Sequence, residues 1–240
     1  MRRFFFFALL LISTLTSCHY FSGKRIRGNG VVKSENRTAG SFNSIHVSGI
    51  ADVYVKQDSV NSVRVEADEN LLEFIIIEND NGTLDIHQKD GTNLKPSGSI
   101  KVYVSGPSFK NFEASGACDF YGENKITGTE SVTIHLSGSS DVNMDLKAPR
   151  VVVDLSGAGT ITLRGDTKEF SVHGSGSTDI NCFELLAENT KVELSGAGDA
   201  EVFASVQLDV HVSGAADVKY KGNANVSKEV SGAGSVKKVE

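Results

Sequence analysis

A 240-residue chain with 24 Gly, only 3 Pro and no Trp suits many tight turns between short strands better than long helices. Its formal charge is -6, and loss of Arg2 and Arg3 with a leader leaves 22 basic and 30 acidic residues, net -8. Such a surface repels polyanions, so nucleic acid is excluded as a partner.

Arg2 and Arg3 precede an apolar run from Phe4 to Ile12. A bilayer core of ~30 Å needs roughly 20 residues to span, so this run reads as an export signal. It closes in Leu15-Thr16-Ser17-Cys18, which resembles the lipobox of bacterial lipoproteins, where cleavage leaves a lipidated Cys as first residue. Residues 1–17 are therefore expected to be a signal peptide, Cys18 the lipid-bearing residue, and 18–30 a polar tether. The acyl chains make the membrane one partner, each buried methylene contributing ~0.8 kcal/mol.

Residues 31–240 read as one domain, irregular over 31–114 and regular over 115–240. In the irregular half, Ser44–Val47 and Asp52–Lys56 flank a Ser-Gly phrase and Val63–Ala67 alternates as a strand. Leu71–Ile77 is densely apolar and fits either a helical turn or a buried strand. Asn81-Gly82 between Ile75–Ile77 and Leu84–Ile86 signals a hairpin. Gly91–Gly98 reads as a polar loop containing Pro96. This half is expected to form broader opening rungs whose hairpin covers the first edge of a stack.

The phrase Ser-Gly-x-x-Asp-apolar begins at Ser48, Ser115, Ser137, Ser156, Ser175, Ser195, Ser213 and Ser231, with Thr160 or Ser235 replacing Asp in two copies. From Gly116 its glycines recur at 22, 19, 19, 20, 18 and 18 residues. A fixed period of this size means a solenoid whose units bury their apolar faces by stacking. Counting from the glycine, positions -4 and -2 are mostly apolar (Ile134 and Leu136, Val153 and Leu155), as are +4 and +6 (Val142 and Met144, Ile161 and Leu163). Period two on both sides of a turn gives two short strands facing inward. With about 19 residues per rung, the expected fold is an all-β parallel β-helix.

Two columns carry ionisable groups. Position -3 alternates His and carboxylate: His46, Glu113, His135, Asp154, His173, Glu193, His211, Glu229. Stacked, these pair as unlike neighbours on adjacent strands, or form metal sites or a pH-sensitive ladder. Position +3 holds Asp52, Asp119, Asp141, Asp179, Asp199 and Asp217. These either hydrogen-bond the backbone of their own turn or, in Asp119, Asp141, Asp179, Asp199 and Asp217, bind Ca²⁺. Cys118 and Cys182 lie three rungs apart, ~14 Å at ~4.8 Å per rung, too far for a disulfide. Catalytic motifs are missing: there is no Gly-x-Ser-x-Gly, Walker loop, Gly-x-Gly-x-x-Gly or Cys-x-x-Cys. No catalytic residue, cofactor or enzymatic activity is expected.

Gly28-Asn29-Gly30-Val31-Val32, Phe42-Asn43-Ser44-Ile45, Val47-Ser48-Gly49-Ile50-Ala51-Asp52-Val53 and the closing Gly222–Gly234 resemble the family of envelope lipoproteins termed auto-transporter adhesin, head GIN domain. The resemblance covers roughly residues 28–238. It implies a right-handed β-helix akin to the pectin-lyase architecture and no catalytic residues. The expected protein is a lipid-anchored outer-membrane protein, on the periplasmic or surface face, that binds an envelope partner or ligand by adhesion. A glycan-binding or vestigial lyase-like module, with Tyr54 and Tyr121 stacking on sugars, is the alternative. A structural or sensory periplasmic protein is the third reading.

Overall fold

The structure, a computed structural model, describes residues 23–240; Cys18 and the expected signal peptide lie outside them. The opening strands are β1 (Lys24–Arg27), β2 (Val32–Arg37), β3 (Ser44–Gly49), β4 (Asp52–Gln57) and β5 (Ser62–Asp68). After a 3-10 turn at Glu69–Phe74 come β6 (Ile75–Asp80), β7 (Thr83–Gln88), β8 (Thr92–Lys95) and β9 (Lys101–Gly106). Next are β10 (Asn111–Gly116), β11 (Asp119–Gly122), β12 (Ile126–Thr127) and β13 (Ser131–Ser139). The regular part runs through β14 (Val142–Cys182), β15 (Leu185–Phe203), β16 (Gln207–Lys221), β17 (Asn225–Gly232) and β18 (Ser235–Lys238). Pairing persists through the corners, so β14, β15 and β16 each bend around the solenoid while remaining hydrogen-bonded to the next rung.

The repeat stacks in register. One flank runs β7, β3, β10, β13, β14, β15, β16, β17, all parallel, and the phrase glycines lie level with one another along it. Each of these glycines has φ between 103° and 134°, a conformation open to Gly at little cost. The stacking also forbids bulk: a Cβ on Gly116 would stand 2.6 Å from the carbonyl oxygen of Gly49, and the later rungs are tighter. The small residues of the phrase are thus a packing requirement.

Inside, the period-two reading holds. Ile134, Val153, Val192 and Val210 at -4, and Ile161, Leu163, Ile180 and Cys182 at +4 and +6, are fully buried. Several residues at +2 also turn inward, so Cys118, within its turn phrase, is buried in the core. One apolar cluster runs from Phe42 to Val218. The final rung departs from the pattern. Lys228 is level with Val210 and Lys238 with Tyr220, so lysine occupies inward register positions where the stack ends. Inward charges of this kind blunt an exposed sheet edge.

The opening half has a different order in space than in sequence. Gly49 and Gly116 are far apart in the chain yet adjacent in the stack, because residues 58–110 leave the stack to build its first end. Within that excursion β7 stacks on β3 and β9 on β4, so this later segment forms the earlier rung. Antiparallel strands then close both flanks: β6 on β7, and β5 on β9 with β2 outside it. The expected hairpin is present, Asn81 and Gly82 both having positive φ, as a primed turn needs. Leu71–Ile77 takes both forms suggested by its sequence, a 3-10 turn and then β6.

Two expectations are corrected. Lys24–Arg27, read as tether, is a strand, and Thr92–Lys95, read as loop, is its parallel partner. Neither segment alternates in a way that announces a strand, since only Ile26 and Leu94 supply apolar contacts. Behind them, Asp68 is buried and accepts from Gly30 N (2.7 Å), Ser97 N (2.8 Å) and Ser97 Oγ (2.6 Å). The Ser97 hydroxyl, then the Ser97 and Gly30 amides, hold its carboxyl below the usual range.

Candidate functional site

The -3 residues come together as one file on the parallel flank. Glu113 is level with both His46 and His135, His135 with Asp154, and Glu193 with His173 and His211. Because inward residues alternate with outward ones, each ionisable group stands out beside the buried pair at -4 and -2. Asp154 sits between two imidazoles: His135 Nδ1 is 3.0 Å from Oδ2, and His173 Nδ1 is 3.2 Å from Oδ1. The second is a close approach without a hydrogen bond, His173 Nδ1 having no partner among the described residues. His173 Nε2 lies 2.7 Å from Glu193 Oε2, and the file ends more loosely with His211 Nε2 3.7 Å from Glu229. Lys191 also reaches Glu193. Lys191, followed by His173 and His211, holds the Glu193 carboxyl below its ordinary value.

Asp85 extends the file, a member sequence reading missed. It lies level with His46, whose Nδ1 is 2.8 Å from Oδ1, while His87 Nδ1 is 3.4 Å from Oδ2. The signal was available in the hairpin: Leu84 and Ile86 alternate like Ile45 and Val47, which sets Asp85 opposite His46.

This file lines a trough of about 790 Å³ extending from Glu113 to Ser231, with the phrase serines Ser137, Ser156, Ser175, Ser195, Ser213 and Ser231 beside it. Each rung of the trough therefore presents a carboxylate or an imidazole, in alternation, and most add a serine hydroxyl, with Leu136, Leu155, Leu194 and Val212 forming its apolar floor. Among the described residues, no group of three or more His, Cys, Asp or Glu is arranged to hold a metal ion.

The +3 aspartates form a second file with a different task. Asp119 Oδ1 accepts from Asp141 N (2.9 Å) and Asp141 Oδ1 from Thr160 N (2.8 Å). Asp217 Oδ1 accepts from Ser235 Oγ (2.7 Å). The carboxylates bond the equivalent position of the next rung rather than their own turn. They act as rung-to-rung ties. Asp179 and Asp199, level with each other, are exposed in the same file.

Tyr54 and Tyr121 do stack, but on protein. Tyr103, Tyr54 and Tyr121 form a column with centroids 5.0 and 5.1 Å apart, and the Arg64 guanidinium caps Tyr103 at 3.9 Å. Both faces of Tyr54 are covered, which removes it as a platform for a sugar. Burial, followed by the hydrogen-bonded Asp119, pushes the Tyr121 phenol up to about 12.

Fold and trough together define a capped β-solenoid that displays an ordered polar file along one flank. The family described as "Putative auto-transporter adhesin, head GIN domain" matches residues 41–224, and the chain belongs to it. Among solved structures, a putative adhesin from Bacteroides fragilis NCTC 9343 is 22% identical with a TM-score of 0.85, over 89% of this chain and 100% of that one. A putative lipid binding protein from Parabacteroides distasonis ATCC 8503 is 24% identical, TM-score 0.67, over 90% and 100%. A putative adhesin from Parabacteroides merdae ATCC 43184 is 23% identical, TM-score 0.70, over 91% and 100%. These likenesses establish the fold. No curated protein matches. Among the described residues no helix is long and apolar enough to cross a membrane.

Proposed function

We propose that this protein is a non-enzymatic, lipid-anchored envelope protein that binds an extended polar partner along the trough between Glu113 and Ser231. The observation that carries the reading is the trough itself, about 790 Å³ in volume and lined rung after rung by alternating carboxylate and imidazole. A ligand lying along the axis meets a hydroxyl at each ~4.8 Å step and the same ionisable group at every second step, so many weak contacts add without a deep pocket. The adhesin names of the family and of two structural relatives support an adhesive role. Anchoring rests on the lipobox ending in Cys18.

Adhesion requires the solenoid to lie outside the cell. Protease treatment of intact cells, with lysed cells as control and blotting for the protein, tests this. Loss from intact cells is expected; protection until lysis would replace adhesion with binding inside the envelope. The aromatic glycan reading is weaker, because the Tyr54 faces are already occupied.

A further inference from the structure

The segment that enters the solenoid carries a charge opposite to that of the regular half. Residues 23–37 hold five basic residues, Lys24, Arg25, Arg27, Lys33 and Arg37, against one acidic, Glu35. Residues 115–240 hold 11 basic and 18 acidic. Lys33 and Arg37 are paired to Glu69 and Glu35, whereas Lys24, Arg25, Arg27, Lys89 and Lys95 are exposed and form no ion pair among the described residues. β1 pairs only with β8, so it is the outermost strand of its ladder. Arg27 lies directly opposite Lys95. Like charges opposite one another on adjacent strands are destabilising, so this pair is unfavourable unless an anion lies beside it. Acidic groups stand at this end too: Asp90 follows Lys89, Glu78 and Asp80 lie on β6, Glu66 and Asp68 on β5, and Glu69 and Glu73 on the 3-10 turn, with Glu69 already paired to Lys33.

We propose that this end is a docking collar for an anionic phospholipid surface, in which Lys24, Arg25, Arg27 and Lys95 seat against the bilayer that holds Cys18. The proposal rests on the lipid-anchored reading above. Lys24 follows Cys18 by six residue steps, a reach of at most ~20 Å when fully extended. The tether therefore holds the collar near the headgroups, within a few Debye lengths of ~8 Å even before contact. Each basic group brought to an anionic surface multiplies the docked population roughly five-fold. The acidic remainder is repelled by the same surface. The solenoid therefore stands on its first end, with the trough leading away from the membrane and the final rung outermost.

The test uses the full lipidated protein in vesicles of phosphatidylcholine alone or of equal parts phosphatidylcholine and phosphatidylglycerol. Flotation and intact mass report the anchor; amine acylation, read peptide by peptide, reports the collar. Acylation of Lys24 and Lys95 is expected to fall at least ~3-fold in the anionic vesicles, to recover in ~1 M salt, and to remain unchanged at Lys237 and Lys238. An Arg25→Gln/Arg27→Gln variant should lose much of the protection at Lys24. Acylated, floating protein with equal labelling in both vesicles overturns the collar and leaves the anchor standing. A Cys18 without acyl mass overturns the anchored reading, and the collar with it.

Discussion

His173 Nε2 stands 2.7 Å from Glu193 Oε2, the tightest imidazole–carboxylate contact between successive rungs of the trough. Both groups are about two-fifths exposed, so the contact is an ordered surface pair of modest strength. Its value lies in repetition. A file of such pairs fixes side-chain positions along the trough without apolar burial.

That file should leave a pH signature through Glu193. Its carboxyl is held below the ordinary value by Lys191 and then by the two imidazoles, so its stabilising effect is present above the unfolded value near 4.5. The effect fades as pH falls through the lower folded value. Urea melts of the parent and Glu193→Gln should differ at pH 6 and converge towards pH 3 (~6 and ~3 bracketing the carboxylate range). A difference that stays constant with pH would refute the linkage.

The glycine stack predicts a sharp contrast between two substitutions. Gly157 has φ 119°, and a Cβ there would collide with the carbonyl oxygen of Gly138. Gly157→Ala should cost ~3 kcal/mol or more, combining backbone strain with steric displacement of the rung below. Gly98 has no atom within 4 Å of a built Cβ and no positive φ, so Gly98→Ala should lie within ~0.5 kcal/mol of the parent. Chemical denaturation measures both.

Asp68 ties β5 to the entering chain and to the loop at Ser97 through three hydrogen bonds. Asp68→Ala leaves two amides and a hydroxyl without their acceptor, at an expected cost of ~2–4 kcal/mol. Hydrogen exchange should quicken first in β1, β2 and β8, with β15 and β16 little changed. Uniform quickening would mean that the opening end is not a separate capping unit.

Burial pushes the Cys182 thiol up to about 12 and raises Cys118 as well. Both are free and buried. Iodoacetamide at neutral pH should leave both peptides unmodified in the folded protein and label both after denaturation. Rapid native labelling of Cys118 would show that the third rung opens readily.

The lysines at the end of the stack have a separate consequence. Lys228→Val with Lys238→Val would extend the apolar interior to an open edge. The variant should associate with rising concentration in sedimentation velocity while the parent does not.

The regular half was legible because a rung repeats one rule: Ile134, Val153, Val192 and Val210 point inward for the same reason, and their glycines mark the corners. His135, Asp154, His173 and Glu193 could therefore be placed on one flank from spacing alone. The opening half was less legible because its order is set by tertiary stacking. Nothing in residues 83–106 says that they form a rung before 44–57. β1 was hidden since a single Ile26 anchors it, and the Tyr103–Tyr54–Tyr121 column was missed because Tyr103 lies outside the repeat.

The most direct test of the central claim is ligand capture on glycan and peptide arrays by three forms of the protein. These are the parent, Asp154→Asn/Glu193→Gln, and Tyr54→Ala. The account predicts that features bound by the parent lose at least ~10-fold in signal with the trough variant, two disrupted charged contacts at ~0.7 kcal/mol or more each, and are kept by Tyr54→Ala. Binding that survives the trough substitutions but vanishes with Tyr54→Ala would contradict it and move the working surface to the tyrosine column.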